Sequence, residues 1–528
     1  MTCTPGAPRR NPGRARPSLG AAPLAVLLVL VLGLTHCGQE KVTPPAYWPT
    51  AEWRTSTPEE HGVSSARLAD AVEYIVDHGL PVHSLLVVRH GYVVLDAYFN
   101  GFAPGTPHDV ASITKSVVST LVGIALDQER IKGVDQKVLE FFPGVEAAHL
   151  DARKQQMAIR DLLTMRSGLE CVAQPTEVTL ARMMQSPDWV RFVLDLPMAD
   201  EPGRTFVYNS GAVHLLSALL TEATGASAAD YAGERLFAPL GIHPDVWPYG
   251  PQKRYSRGWG DLHLTPHDLA RLGLLFLQQG RWEDRQVVSA QWVAAATERQ
   301  VSLKGDAGYG YLWWVTGKPR GMFEARGRGG QRLVVWPEKQ AVVVITAGGA
   351  EPAPLAPFIF AALQSDTPLP PSADGTALLS QALRRAASVA ATPAGPAVPA
   401  PATAHRISGR TYALEANPFG IEELTFTFRD PGEALLLLKL AHHVEEGRIA
   451  KFVIGLDGSP RTAPGRFGLP ATGVGQWTAD DTFEAEIDEI ANINRFHVRL
   501  AFRAESMSGV LEEKTGLCTG ELRGRIKE

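Results

Sequence analysis

The order of apolar and polar residues divides the chain into a body rich in helices and a late region of short alternating runs. "SARLADAVEYIVDHG" has apolar residues at helical spacing and predicts a helix that ends at Gly79. "HSLLVVRHGYVVLDAYF" predicts two strands joined in a hairpin at His90 and Gly91. Helical patterns follow, and strand patterns return in "RLVVWPE" and "AVVVITAGG". We therefore expect an α/β body whose sheet is closed by distant segments, with a helical insertion beside it.

Two changes in pattern mark the domain boundaries. Residues 366–404 are rich in proline and alanine and predict a linker that contains one short helix. Residues 405–528 carry runs such as "ELTFTF" and "FHVRLAF" between Gly, Pro and Asp, which predicts a small antiparallel barrel or sandwich. Residues 55–365 then form the α/β body, and residues 38–54 form a polar spacer before it.

Composition excludes some classes of function. A chain of 528 residues with 45% hydrophobic and 20% charged residues is globular and long enough for two or three domains. The formal net charge of −5 and the lack of a basic stripe argue against nucleic-acid binding. Four cysteines at these spacings match neither a zinc site nor a disulfide scaffold, so we expect no metal.

Residues 1–37 read as a targeting segment. Four arginines precede "APLAVLLVLVLGL", which is too short to span a bilayer but suits the core of a secretory signal. The end, "LTHC", resembles a bacterial lipoprotein signal, which implies a lipid on Cys37 and a periplasmic or cell-surface protein held to a membrane by that anchor. Plain export and an uncleaved anchor are the alternatives.

Ser112 and Lys115 begin a long apolar helical pattern in "DVASITKSVVSTLVGIALDQ". A serine hydroxyl needs a nearby base to become a nucleophile, and residues three apart share a helix face. Burial of the Lys115 amine would favour its neutral form, which accepts a proton. The helix N-terminus adds backbone N–H groups that suit a developing oxyanion. The plain alternative is a helix cap followed by a surface lysine.

Two later segments favour catalysis. In "PGRTFVYNSGAVHLL", Tyr208 lies on a turn before an apolar helix, where a phenol close to an amine can move protons to a leaving group. In "ARGRGGQRLVVWPE", Gly329 and Gly330 form a turn against a strand, and we expect them to let the backbone approach a bound acyl group. A core tyrosine and an ordinary hairpin turn are the alternatives.

In order along the chain, Ser112-Ile113-Thr114-Lys115, Tyr208-Asn209-Ser210 and Arg328-Gly329-Gly330 resemble the three motifs of the serine β-lactamase and penicillin-binding-protein superfamily. The chain is most similar to the class C β-lactamase-like branch, which includes esterases, D-aminopeptidases and 6-aminohexanoate-dimer hydrolases. The resemblance covers residues 55–365 and implies a β-lactamase/transpeptidase-like fold, an antiparallel sheet flanked by helices plus a helical subdomain.

The resemblance also implies roles for these residues. Ser112 would be the acylated nucleophile, Lys115 its activating partner and Tyr208 the acid and base for the leaving group and the attacking water. The backbone N–H groups of Ser112 and Gln331 would form the oxyanion hole. Asn209, Ser210, Arg328, Gly329 and Gly330 would contact the substrate, a small ester or amide, without any cofactor.

This chain departs from the family pattern at two places. The second motif of the family is Tyr-x-Asn, but Ser210 occupies the third place and Asn209 comes one residue early. The third motif is commonly Lys-Thr-Gly or His-x-Gly, but Arg328 begins it here. Both changes argue against an efficient β-lactamase and predict an enzyme closer to an esterase. A D-stereospecific peptidase, a weak β-lactamase and a non-catalytic peptide-binding protein on the same scaffold are the alternatives.

A literal Lys-Thr-Gly occurs at Lys514-Thr515-Gly516, inside the late β region. It lacks the surroundings of the third motif, and three-residue matches often arise by chance. We therefore interpret it as a turn.

Overall fold

The computed structural model describes residues 44–173, 177–244, 246–317, 321–388, 400–429, 432–441, 449–516 and 519–527. Cys37 and the rest of the signal segment lie outside these residues, so lipid attachment, export and membrane anchoring stay predictions. Within the described ranges, no helix is both long enough and apolar enough to cross a bilayer.

Helices and short strands alternate through the body, and long strands make up the late region. The described α-helices are α1 (Ser65–Asp77), α2 (Ile113–Asp127), α3 (Ala152–Gln156), α4 (Ile159–Leu163), α5 (Val178–Met184), α6 (Trp189–Asp195), α7 (Ser210–Thr224), α8 (Ala228–Ala232), α9 (Ala238–Leu240), α10 (Pro266–Leu277), α11 (Ala290–Thr297), α12 (Ala356–Ala362), α13 (Ala373–Ser388) and α14 (Ala402–Ile407). The strands of the body are β1 (Val82–Arg89), β2 (Tyr92–Tyr98), β3 (His108–Asp109), β4 (His263–Leu264), β5 (Arg281–Trp282), β6 (Arg285–Gln286), β7 (Val301–Ser302), β8 (Gly308–Tyr309), β9 (Trp314–Val315), β10 (Phe323–Gly327), β11 (Gln331–Trp336) and β12 (Ala341–Ala347).

An eight-stranded antiparallel sheet in the order β2-β1-β12-β11-β10-β9-β8-β7 supports the body. The early hairpin β1–β2 lies beside the late strand β12, with Leu86 opposite Val344. Distant segments therefore close the sheet, as the sequence predicts. The hairpin at His90 and Gly91 is also confirmed, because β1 ends at Arg89 and β2 begins at Tyr92.

Helices cover both faces of this sheet. Along β12, Val342 and Val344 belong to the core formed with the helical subdomain, which includes α2, α7 and α10. The alternate residues Val343 and Ile345 belong to the core on the opposite face, with Leu68 of α1. Because successive strand residues point to opposite faces, a strand buried on both sides is apolar throughout. This arrangement confirms the predicted β-lactamase/transpeptidase-like class.

The predicted linker is partly folded onto the body. Helix α13 packs along α1, with Leu379 and Ala382 buried in the same core. Arg385 of α13 forms ion pairs with Glu73 and Asp77 of α1. The rest of the linker prediction falls largely on residues 389–399, which lie outside the described residues.

The late region is a β-barrel, which decides between the two predicted architectures. Its strands are β13 (Thr411–Leu414), β14 (Ile421–Arg429), β15 (Glu433–Leu440), β16 (Ile449–Gly455), β17 (Arg461–Pro464), β18 (Pro470–Ala479), β19 (Thr482–Asp488), β20 (Arg495–Arg503), β21 (Ser506–Glu513) and β22 (Thr519–Ile526). They run in the order β16-β15-β14-β13-β22-β21-β20-β19-β18-β17, and β16 meets β18 at Gly455 and Val474. This last contact closes the sheet on itself, which leaves few unpaired edges.

Four histidines of the body are buried among the described residues, and three of them, His83, His108 and His214, have a lowered pKa. His83 Nδ1 lies 2.8 Å from His108 Nε2, and His214 packs against the rings of Trp189 and Trp259. Burial lowers the pKa of His108 to about 3, and burial together with the Arg257 guanidinium lowers the pKa of His214 to about 3. The pKa of His83 also lies well below its usual value, because of burial and the neighbouring His108.

Because of these buried histidines, we expect the free energy of unfolding to decrease as the pH is lowered. Their pKa values are lower in the folded chain than in the unfolded chain, so below pH 6.5 the unfolded chain binds more protons. Each histidine then reduces the free energy of unfolding by about 1.4 kcal/mol per pH unit, down to its folded pKa. Urea unfolding at pH 7.5, 6.5 and 5.5 measures this slope. His214→Gln should make the slope shallower by one histidine's share, with the exposed His149→Gln as the matched control. An unchanged slope in His214→Gln would contradict the assignment.

Candidate active site

The predicted nucleophile, Ser112, sits on a strained turn between β3 and α2. Ala111 has a φ of +47°, in the left-handed region that non-glycine residues rarely adopt. The Asp109 carboxylate holds this turn by accepting a hydrogen bond of 2.7 Å from the Ala111 N–H. Backbone strain of this kind is concentrated at functional sites. The Ser112 side chain remains partly exposed, whereas α2 behind it is buried through Ala125.

Lys115 is buried and its amine contacts the predicted nucleophile. The residue is 1% exposed, and Nζ donates hydrogen bonds to Ser112 Oγ at 2.7 Å and to the Trp259 carbonyl at 2.8 Å. Among the described residues, Lys115 forms no salt bridge with a carboxylate. The surface-lysine alternative is therefore wrong, and the juxtaposition expected from the Ser-x-x-Lys spacing is confirmed.

Tyr208 completes the group. Lys115 Nζ lies 5.0 Å from the centre of the Tyr208 ring. The same ring stacks on Trp314 of β9, at 6.3 Å between centroids and 19° between planes. The Ser112 hydroxyl and the Lys115 amine from the start of α2 thus lie beside the ring of Tyr208, which comes from a distant part of the chain, and a partly exposed aromatic wall.

Asn209 and Ser210 are turned into the protein instead of towards solvent. Asn209 is 1% exposed and caps α7, since its Oδ1 accepts a hydrogen bond of 3.1 Å from the Ala212 N–H. Ser210 is similarly buried. Neither Asn209 Nδ2 nor Ser210 Oγ has a hydrogen-bond partner among the described residues. Helix capping accounts for Asn209, and a substrate contact by either side chain stays a prediction.

The glycines of the third motif are required by the protein itself. Arg328–Gly330 form a 3₁₀ turn between β10 and β11 in which Gly329 and Gly330 have φ values of +78° and +103°. A Cβ on Gly329 would lie 2.3 Å from Ile493 Cγ2 of the barrel. A Cβ on Gly330 would lie 2.5 Å from the Ala350 carbonyl oxygen. Neighbouring protein groups therefore require glycine at both positions, and the contact with a bound acyl group stays a prediction.

Gln331 is fully buried, and its side-chain amide is occupied. Nε2 donates to the Ala347 carbonyl at 2.6 Å and to the Arg328 carbonyl at 3.1 Å, and Oε1 accepts from the Ala347 N–H at 3.1 Å. These bonds tie the turn to the end of β12. Only the backbone of Gln331 is left for the oxyanion role that the family resemblance implies.

Arg328 is held by the barrel. Its guanidinium donates to Asn494 Oδ1 at 2.8 Å and to Thr515 Oγ1, and it lies 3.8 Å from the Glu513 carboxylate. Glu513 in turn accepts a hydrogen bond of 2.7 Å from the Thr515 hydroxyl. Arg328, which is predicted to contact the substrate, therefore already has one acidic and two polar partners.

The literal Lys-Thr-Gly forms a turn between β21 and β22, as predicted from sequence. The turn nevertheless lies against the third motif through the contact of Thr515 with Arg328. Lys514 points elsewhere and pairs with Glu486 at 2.7 Å. Sequence reasoning missed this neighbourhood, because no local pattern connects a turn of the barrel to a turn of the body.

A second contact joins the barrel to β4, the strand beside the turn that carries Ser112. Asn492 Oδ1 lies 2.7 Å from Nε2 of His263, a residue of β4, and β4 pairs with β3. Between the two barrel contacts, Ile493 has a φ of +72° and ψ of −41°, a strained conformation for a β-branched residue. The loop between β19 and β20 thus packs tightly against the body next to the candidate active site. The sequence carries no motif at these positions.

Two carboxylates behind the turn, the buried Asp109 and the partly exposed Asp261, have opposite pKa shifts. Burial, reinforced by the negative charge of Asp261, raises the pKa of Asp109. Burial also acts on Asp261, but the Arg257 guanidinium at 2.6 Å outweighs it and holds the pKa of Asp261 below its usual value. Asp261 therefore remains charged, and the carboxyl group that supports the Ser112 turn is the weaker acid of the two.

Comparison with known proteins identifies the family of the α/β body. The family model described as Beta-lactamase matches residues 66–364. A 6-aminohexanoate-dimer hydrolase from Paenarthrobacter ureafaciens is 26% identical over 288 residues, which cover 51% of this chain and 73% of that protein. A putative 6-aminohexanoate-dimer hydrolase from Bacillus anthracis has a similar structure, with a TM-score of 0.50 and 19% identity over 60% of this chain and 87% of that one.

The matched segment coincides with the α/β body and contains the serine, the lysine, the tyrosine and the glycine turn described above. The resemblance inferred from the three motifs is thereby confirmed. This chain belongs to the beta-lactamase family.

Proposed function

We propose that the protein is a serine hydrolase that cleaves a small ester or amide through an acyl-enzyme on Ser112. The observation that carries the proposal is the 2.7 Å hydrogen bond between Ser112 Oγ and the buried amine of Lys115. A serine hydroxyl becomes a nucleophile when such a group can take its proton. Tyr208, whose ring centre lies 5.0 Å from that amine, supplies the second proton-transfer group.

Ser112, Lys115, Tyr208 and one water molecule can supply and accept every proton that this hydrolysis needs. Ser112 Oγ adds to the substrate carbonyl, and its proton passes to the pair formed by Lys115 and Tyr208. The tetrahedral intermediate expels the alcohol or amine, which takes a proton through Tyr208, and leaves an ester on Ser112. Water then adds to this ester and gives one proton to Tyr208. The acid is released and Ser112 regains its proton.

The oxyanion would be stabilised by backbone N–H groups of Ser112 and Gln331. The Ser112 N–H donates no hydrogen bond within the described part of the chain and lies at the N-terminus of α2. The Gln331 side chain is fully used in holding its turn, which fixes the position of its backbone.

Two features favour a simple ester or amide over a β-lactam. The asparagine that the family uses to contact a substrate amide is replaced by a buried serine, Ser210, and the neighbouring Asn209 caps a helix. Arg328 is bound by barrel residues. The relative named 6-aminohexanoate-dimer hydrolase supports small amides as a substrate class beside esters.

Ser112→Ala should abolish turnover of short-chain nitrophenyl esters. Removal of the nucleophile is expected to lower kcat/KM by about 10³-fold or more. Intact-mass measurement and a fluorophosphonate probe should detect an adduct on the wild-type chain and none on the variant. Ser119→Ala is the matched control on the same helix, since its buried hydroxyl has no hydrogen-bond partner among the described residues. Full turnover by Ser112→Ala would remove Ser112 from this role, and a wild-type chain that the probe fails to label would favour a non-catalytic binding protein.

Lys115 and Lys154 provide a second test, because both are buried but their partners differ. Lys154 Nζ donates to the carbonyls of Ala148, Leu194 and Leu196, each at 2.7 Å, and touches no candidate catalytic group. Lys115→Met should lower kcat by about 10²–10⁴-fold while the fold persists. Lys154→Met should leave three carbonyls unpaired and reduce the free energy of unfolding by roughly 2–5 kcal/mol, with kcat of the folded fraction retained. The reverse pattern in steady-state kinetics and urea unfolding would reject Lys115 as the activating group.

Tyr208→Phe should act selectively on poor leaving groups. Nitrophenolate departs without a proton, whereas an alkoxide or an amine needs one, so loss of the phenol should affect alkyl esters and amides most. We expect kcat/KM to fall at least about tenfold more for an ethyl ester than for the matching nitrophenyl ester. Tyr309→Phe is the control, because that buried ring also packs on Trp314 but lies outside the proposed chemistry. Equal losses for both esters would indicate that Tyr208 only shapes the pocket.

A further inference from the structure

The interior of the barrel is only partly filled. One part holds a packed cluster of aromatic rings, in which Trp477, Phe428, Phe483 and Phe502 lie about 5–6 Å apart. The other part is a cavity of about 180 Å³. Protein interiors are otherwise close-packed, and a void of this size lined by apolar atoms is unfavourable when empty.

The lining of the cavity is apolar except at one place. Eighteen described residues line it, and only Arg466, Glu489 and Asn494 have polar side chains. The remaining walls are aliphatic and aromatic, for example Leu438 and Val498. A cavity of about 150 Å³ with such walls takes up benzene, so this one accommodates roughly six to eight carbon atoms.

The polar side chains of the lining carry charges of both signs and bind one another. Arg466 lies 3.5 Å from the Glu489 carboxylate, and Asn494 Nδ2 donates to the same carboxylate at 2.9 Å. Arg328, on the other side of Asn494, faces Glu513. Arg466 and Arg328 each lie within 4 Å of a carboxylate. A ligand that brought a further charge into this place would add an unpaired buried charge, whereas an uncharged group can exchange hydrogen bonds there.

We propose that the barrel binds one uncharged medium-chain aliphatic molecule with a hydrogen-bonding end, such as a primary alcohol or an amide. The carbon chain occupies the apolar cavity, and the polar end lies against Arg466, Glu489 and Asn494. This site is separate from Ser112 and does not depend on the catalytic proposal. Barrels of this size commonly enclose a single small ligand in the same manner.

The test uses full-length Ser112→Ala protein, so that no probe is consumed, and isothermal titration calorimetry with hexan-1-ol, hexanamide and hexanoate. The alcohol and the amide should each bind at one site. Hexanoate should bind at least about tenfold more weakly, because its carboxylate adds an unpaired charge. A chain that binds neither neutral probe, or binds hexanoate equally well, overturns the proposal.

A pair of substitutions locates the binding site. Val498 lines the cavity and is 3% exposed, whereas Val510 lies on the outer surface of the barrel and is 43% exposed. In the Ser112→Ala background, Val498→Phe should fill the cavity and weaken hexan-1-ol binding at least about tenfold. Val510→Phe makes the same change outside and should leave the affinity unchanged. Equal affinity in the two variants, with native circular dichroism in both, would place the probe elsewhere and overturn the proposal.

Glu489→Gln is a second, independent variant that keeps the shape of the side chain. It removes the negative charge that lies 3.5 Å from the Arg466 guanidinium, so a ligand carboxylate is repelled less at this place. The ratio of hexanoate to hexan-1-ol affinity should rise at least about tenfold. If Val498→Phe fails to fold, the ratio of hexanoate to hexan-1-ol affinity in Glu489→Gln becomes the deciding test. An unchanged ratio overturns the proposed position of the polar end.

Discussion

The site depends on one buried amine. Lys115 can stay out of water only while hydrogen-bond acceptors and apolar walls surround it, and its neighbours provide both. The Trp259 carbonyl and Ser112 Oγ accept from Nζ, and the Tyr208 ring covers it. Each of these partners comes from a different segment of the chain. The amine therefore reaches this position only when α2, the loop before β4 and the turn before α7 have packed together.

The barrel is part of this assembly. Its loop between β19 and β20 and its turn at residues 514–516 occupy the surroundings of the third motif, where they hold Arg328 and pack on Gly329. A further contact joins Asn492 to His263, beside the strand that leads to Ser112. The strained backbone of Ile493 indicates that this loop is forced into place by the body around it. The polar end of the barrel cavity and the third motif share Asn494.

Local pattern was enough to predict much of this arrangement. The hairpin, the helices α1, α7 and α10 and the barrel strands follow from apolar spacing, and the ordered motifs brought Ser112, Lys115 and Tyr208 together. Helix α13 was underestimated, because alanine and proline hide the periodic Leu379 and Ala382. Asparagine directly before an apolar helix is a common N-cap, so the capping role of Asn209 could have been predicted from sequence. The barrel contacts to Arg328 and His263 could not be predicted, because pairing between residues far apart in sequence leaves no local signal.

The contact between His263 and Asn492 also has a consequence for biosynthesis. A ribosome makes the chain from its N-terminus, and domains generally fold in that order. The nascent α/β body therefore emerges with Ser112 on its turn but with Arg328 and Gly329 not yet in contact with Asn494 and Ile493. These contacts form only when the barrel strands that follow have been translated and folded.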